Sequence, residues 1–271
     1  MKITATCLCT VLLSFFFLSC TVNKAKTDNT LKKYFNEKAV DGCFTLLNNT
    51  DGGITVYNMN LDTLRFSPAS TFSIVNTLVG LQTGRITDEK MVIPWDGVAR
   101  KEDSCNKDMD LTASFGLNCD PWFQQVARRI GKDTLQRWVD SIGYGNKNMR
   151  GPVDSCWFNN TLKISPDEQL GLVKKLYFDQ LPFRKSVQQM VRDLMLREDN
   201  TAYKLSYSTG LGSDEPGKAI GWVTGWVEEN KHVYFFVTFV RASNPGPELG
   251  KVPMDITRGI LKHLGFLEGR K

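Results

Sequence analysis

Cysteines, histidines and serine-bearing helix starts are the first places to look for chemistry in this chain. Only two histidines occur, His232 and His263. That is too few for a His-rich zinc site, and neither stands mid-chain where a chymotrypsin-like triad would need one. None of the seven cysteines forms a C-x-x-C pair, which argues against a metal knuckle, and neither metal nor organic cofactor is expected. Ser67-Pro68-Ala69-Ser70 opens a helix, and out of context Ser70 is simply a cap. A bare serine hydroxyl is a weak nucleophile near neutral pH, so any covalent chemistry at Ser70 requires a partner base.

Composition narrows the partners. The chain has 271 residues, 41% hydrophobic and 23% charged, which is folded globular composition. Its net charge of +5 is small and dispersed. The basic pairs Lys32-Lys33, Arg128-Arg129 and Lys174-Lys175 read as solvated helix faces, so no nucleic-acid partner is expected. Lys2 precedes an apolar run from Ile3 to Leu18, with the layout of a secretory signal over residues 1–19. The ending Phe17-Leu18-Ser19-Cys20 is similar to a bacterial lipoprotein site, with Cys20 becoming the lipidated N-terminus; ordinary signal cleavage is the alternative. No second apolar run of membrane length follows. The chain is therefore expected to be exported and periplasmic, touching the membrane only through a lipid anchor.

Cys7 and Cys9 would leave with the signal. Cys43, Cys105, Cys119 and Cys156 would then sit in an oxidising compartment, where three full pairings are open. Cys43 lies in an apolar run and reads as a buried thiol. Residues 20–36 are polar and read as a tether, leaving 37–271 as the folded domain.

Two strands are expected at Gly42–Leu47 and Gly53–Asn58, around the turn Asn48-Asn49-Thr50-Asp51-Gly52. Ile74, Leu78 and Leu81 repeat at helical spacing up to Gly84. A loop region with Pro94-Trp95-Asp96-Gly97 comes next. Asp120-Pro121 starts a helix carrying Trp122, Val126 and Ile130, and another runs from Thr134 to Ile142. Ser165-Pro166-Asp167-Glu168 is a capping box, and Pro182–Leu196 is again helical. Strands at Ala219–Glu228 and Val233–Arg241 form a hairpin, and Met254–Leu264 is a last helix. The order implies an α+β fold, with a sheet built from both chain ends and a helical subdomain inserted between them.

The segment Phe66 to Asn76 resembles the nucleophile helix of the class D (oxacillinase-type) serine β-lactamases, in the penicillin-binding transpeptidase superfamily. The family order continues through Trp95-Asp96-Gly97, Pro121 to Gly131, Tyr144-Gly145-Asn146, Trp157, Leu162 to Ser165, Leu181-Pro182-Phe183, Ser208-Thr209-Gly210 and Gly221 to Trp226. The resemblance implies a β-lactamase/transpeptidase-like fold. It implies Ser70 as the residue that opens a β-lactam ring through an acyl-enzyme. It implies an oxyanion hole from the backbone N–H groups of Ser70 and Leu211. Asn118, Tyr144, Trp157, Ser208, Thr209, Gly210 and Leu211 fall on the family's binding positions. The expected ligand is a β-lactam or a small molecule like a peptidoglycan peptide.

Three catalytic positions depart from the family. Its S-x-x-K motif ends here in Ser73, its S-x-V reads Asn118-Cys119-Asp120, and its K-T-G reads Ser208-Thr209-Gly210. In the family the lysine at position 73 is carbamylated and acts as the base; Ser73 cannot. Asp120 reads as a helix cap, with a replacement base as the alternative. Lys251 and Arg258 are the nearest candidates for the cation that gathers the substrate carboxylate. Three functional readings follow: an acyl-enzyme former with altered apparatus, a non-catalytic pseudoenzyme that binds a cell-wall peptide, a β-lactam or a protein partner, and a structural envelope lipoprotein that uses the fold only as a body.

Overall fold

The computed structural model describes residues 25–100, 103–215, 218–243 and 249–271. The chain-terminal half of the sheet begins with β1 (Ala25–Thr27), followed by α1 (Lys32–Glu37), β2 (Asp41–Asn48) and β3 (Ile54–Tyr57). The helical middle comprises α2 (Met59–Asp62), α3 (Ser73–Gln82), α4 (Leu111–Leu117), α5 (Asp120–Ile130), α6 (Lys132–Ile142), α7 (Pro166–Tyr177) and α8 (Lys185–Met195). The chain returns to the sheet through β4 (Leu196–Asp199), β5 (Lys204–Glu215), β6 (Lys218–Glu229) and β7 (His232–Ala242), and closes with α9 (Val252–His263). The seven strands lie in the order β1-β3-β2-β7-β6-β5-β4. All neighbours are antiparallel except β1 and β3, which run parallel. The expected α+β architecture, with strands from both ends around an inserted helical block, is the one observed.

Both faces of the sheet are covered, which is why β7 reads as a nearly continuous apolar run. Phe235, Val237 and Phe239 pack with the helical middle, alongside Trp222 and Trp226 of β6. Phe236 and Val240 point the other way, into the layer formed with α9 and Phe35 of α1. The capping box predicted at Ser165 is present in both directions: Ser165 Oγ accepts from the Glu168 amide at 3.2 Å, and Glu168 accepts from the Ser165 amide at 2.9 Å.

Two boundaries need correction. Residues 25–36 are not a tether but part of the fold: β1 adds to the sheet edge, and Leu31 and Phe35 are fully buried. The two apolar residues stand four apart, one helical turn, and dock under β2, where a side chain at Gly42 would strike the Phe35 ring. The polar composition around them hid that anchor. Residues 1–24, which hold the expected signal segment and Cys20, lie outside the described residues. Helix α4 also lies where only a loop was expected; Asp110 caps it by accepting from the Ala113 amide at 2.8 Å.

Candidate active site

Ser70 sits in a 3₁₀ turn, Ala69–Phe72, that runs directly into α3, rather than at a plain helix N-cap. Four hydrogen bonds fix that turn from outside. The Trp157 carbonyl accepts from the Ala69 amide at 3.1 Å and from Ser67 Oγ at 2.5 Å. Trp222 Nε1 donates to the Ser67 carbonyl at 2.9 Å, and Gln169 Nε2 donates to Thr71 Oγ1 at 2.7 Å. Ala69 is held at φ +49°, left-handed for a residue with a Cβ, a conformation that costs about 1–3 kcal/mol unless its surroundings enforce it. The turn is thus over-determined, and it presents the Ser70 hydroxyl to a cleft.

That hydroxyl has a partner. Ser70 Oγ donates to Asp120 Oδ1 at 2.9 Å. Asp120 opens α5, but it does not cap it: Cys119 holds the N-cap position and makes no side-chain capping bond. The cap reading of Asp120 is therefore corrected; its carboxylate faces the Ser70 hydroxyl. Burial pushes the Asp120 carboxyl up to about 6, partly opposed by the Ser70 hydrogen bond. A carboxylate of that strength is ionised at neutral pH and still basic enough to accept a proton. The legible sign was the pattern of exchange: a carboxylate appears at the second motif where a lysine has gone from the first.

The cleft encloses about 430 Å³, with Ser70 and Asp120 at one wall and Thr209, Gly210 and Leu211 of β5 at the other. Asn118 bridges them, donating from Nδ2 to Thr209 Oγ1 at 2.5 Å. Among the described residues, β5 beyond Ser206 has a strand partner only on its β6 side, and its other edge runs beside the Ser70 turn. A Cβ at Gly210 would stand 2.9 Å from the Thr71 amide nitrogen and 3.2 Å from that of Ser70. Only glycine permits this approach, which sets the backbone of Gly210-Leu211 against the Ser70 amide. Leu117 and Leu211, each about half exposed, flank the opening with apolar surface. Lys251, at the N-cap of α9, also lines the cleft. Arg258 does not; its guanidinium pairs with Glu198.

The remaining predicted positions lie beneath the cleft rather than on its lining. Tyr144 is buried edge-on against Phe72, and burial drives its phenol well above the ordinary range. Trp157 is stacked on Phe72 with ring centroids 5.3 Å apart, so it serves through its carbonyl and its packing. Ser73 and Ser208 are both buried, and neither hydroxyl has a hydrogen-bond partner among the described residues; the same holds for Thr224, which faces Ser208 across β5 and β6. A buried hydroxyl left unpaired costs about 1–3 kcal/mol. Ser73→Ala is therefore expected to leave the melting temperature unchanged or raised, and the rate of any Ser70 acylation within about threefold of the parent. A large loss of rate in Ser73→Ala, measured by intact-protein mass, would show that position 73 still takes part.

The described cysteines make one bridge, Cys105–Cys119, leaving Cys43 and Cys156 as buried thiols. Of the pairings left open by sequence, this one ties the irregular stretch before α4 to the α4–α5 corner. Closing a loop of this size stabilises a fold by about 3 kcal/mol in the chain-entropy account. Among the described residues no group of three or more His, Cys, Asp or Glu is placed to hold a metal ion.

Comparison with known proteins bears on the family and the fold. Residues 21–262 match the penicillin binding protein transpeptidase domain. Beta-lactamase OXA-5 of Pseudomonas aeruginosa is 33% identical over 224 residues, 82% of this chain and 84% of that protein. A class D β-lactamase structure from Nostoc superposes with a TM-score of 0.84 at 30% identity, covering 89% of this chain and all of the other. The C-terminal domain of the Bacillus licheniformis BlaR penicillin-receptor superposes with a TM-score of 0.85 at 29% identity, covering 90% of this chain and 98% of that domain. The chain belongs to the penicillin-binding transpeptidase family, among the homologues of the class D β-lactamases.

Proposed function

We propose that this protein is acylated by β-lactams at Ser70, with Asp120 as the base that activates the serine. The observation that carries the reading is the 2.9 Å hydrogen bond from Ser70 Oγ to a partly buried carboxylate poised near 6. As Ser70 Oγ bonds to the lactam carbonyl carbon, its proton passes to Asp120 Oδ1. When the ring C–N bond breaks, the same proton passes on to the lactam nitrogen, and Asp120 returns to the carboxylate. The carbonyl oxygen takes up negative charge meanwhile, where the backbone N–H groups of Ser70 and Leu211 supply donors independent of side-chain identity. Lys251 is the cation in the cleft that suits the carboxylate of a β-lactam.

The family base, by the resemblance, is a carbamate carried on a lysine at position 73. Asp120 offers a carboxylate to the same hydroxyl from the neighbouring helix, which makes the loss of that lysine compatible with chemistry. The non-catalytic reading loses its main support once a base is in place, although a peptidoglycan-like peptide remains a ligand of suitable chemistry for the same cleft. The Phe17-Leu18-Ser19-Cys20 pattern supports export with a lipid anchor at Cys20, reached by following acylated Cys20 in a membrane fraction.

Intact-protein mass spectrometry tests the central reading. Incubation with excess benzylpenicillin is expected to add one penicillin mass, and Ser70→Ala is expected to add none. An adduct that decays would make the chain a β-lactamase; one that persists would make it a receptor, like the BlaR domain it resembles. No adduct over hours would leave only the non-catalytic reading.

A further inference from the structure

We infer that the Cys105–Cys119 disulfide is a positioning element for Asp120, so that activation of Ser70 depends on the oxidised state of this bridge. The inference rests on the Ser70–Asp120 reading above. Cys119 stands between Asn118, which reaches across the cleft to Thr209, and Asp120, which accepts from Ser70 on the same wall. The corner that carries all three is tight. Asn118 is left-handed at φ +54°, and the Cys119 amide donates back to the Ser114 carbonyl at 2.9 Å.

Of the nine described α-helices, two fix their starts with side-chain caps, Asp110 for α4 and Ser165 for α7. Helix α5 has none, because its N-cap residue is Cys119. The sulfur that replaces a cap is bonded instead to Cys105, at the end of a short 3₁₀ turn, Asp103–Cys105. That turn belongs to a stretch bonded largely to itself. Ile93 and Met109 pair through their backbones, the Trp95 amide donates to Asp108 at 2.9 Å, and the Arg100 amide donates to Asn106 Oδ1 at 2.9 Å. Besides the main chain, the bridge is the covalent tie between this body and the corner, next to the hydrogen bond from Trp122 Nε1 to the Met109 carbonyl at 3.0 Å. Cys105 and Ser104 also line the cleft together with Asp120, so the same tie shapes the wall next to the carboxylate. Cys43 lies on β2, and Cys156 is buried near Tyr144, so neither is a substitute partner at this corner.

Reduction by a phosphine supplies two electrons to the S–S bond and becomes the phosphine oxide, while two protons from water complete two thiols. Two changes are then expected in the full chain. Acylation by benzylpenicillin at pH 7 slows by about tenfold or more, in line with a mispositioned base. The Asp120 carboxyl, now better hydrated, titrates at least one pH unit lower than in the oxidised protein. The second change is read by carbon-13 NMR of aspartate-labelled protein, with the resonance assigned by its loss in Asp120→Asn. Reoxidation restores both. Cys105→Ser/Cys119→Ser gives the same result without reductant, checked for native circular dichroism at the assay temperature; should that variant not fold, the reversible reduction of the parent chain decides.

An unchanged Asp120 titration after reduction overturns the inference, even if the melting temperature falls, because a plain staple would do only that. A titration that moves in a protein that neither form acylates upholds the positioning role and removes the catalytic reading instead.

Discussion

Asp120→Asn is expected to slow acylation of Ser70 by about 10²–10⁴, the range lost with a positioned general base. The amide keeps the size of the carboxylate and still accepts the Ser70 hydrogen bond, but it cannot take the proton. The same substitution is expected to stabilise the protein at neutral pH. Asp120 titrates near 3.8 when unfolded and about 6 when folded, because burial disfavours its charge. Below about 3.8 both states hold the proton, and the group is neutral in its effect. Between 3.8 and 6 the unfolded chain ionises first, so stability falls as pH rises. Above 6 the full penalty is present, on the order of 2–3 kcal/mol for a carboxyl raised from 3.8 to about 6. Asp120→Asn removes it, and the melting temperature at pH 7.5 should rise by several degrees. A gain in stability with a loss of chemistry marks a residue kept for function. A variant that is less stable and equally reactive would mean that Asp120 serves the fold.

Gly210→Ala carries the second large effect. The added methyl would stand 2.9 Å from the Thr71 nitrogen, which belongs to backbone and cannot swing aside. Strand β5 must therefore move away from the Ser70 turn, taking the Leu211 amide with it. Removing one donor to a developing oxyanion costs about 10²–10³ in rate. The expected result is a loss of that size in acylation by benzylpenicillin, with Ser70 and Asp120 untouched and the circular dichroism native. Acylation at the parental rate would show that the backbone of Gly210-Leu211 plays no part.

Much of this arrangement is readable in the sequence, and the exceptions have physical reasons. The hairpins and the helices α5 to α9 follow from apolar period and caps, because those signals are local. Leu31 and Phe35 escaped notice because two buried residues in a polar stretch leave no periodicity; only the sheet edge above them explains their burial. Ser70 is found through its ordered neighbours. Asp120 is misread because Asp-Pro at a helix start has a sufficient local explanation. Its orientation toward Ser70 depends on where α3 and α5 meet, which no local pattern encodes. Cys105 and Cys119 are likewise symmetric with the other cysteines until the fold brings them together. Tyr144 and Trp157 hold the right places in the order, yet they act from beneath, through packing and a backbone carbonyl.

The measurement that tests the account most directly is the pH dependence of Ser70 acylation by benzylpenicillin, followed as adduct mass against time from pH 4.5 to 8.5. A carboxylate base poised at about 6 predicts a rate that climbs through that pH and levels off above it. A profile that is flat across 6, or an adduct that forms equally well in Asp120→Asn, would contradict the assignment of Asp120 as the base.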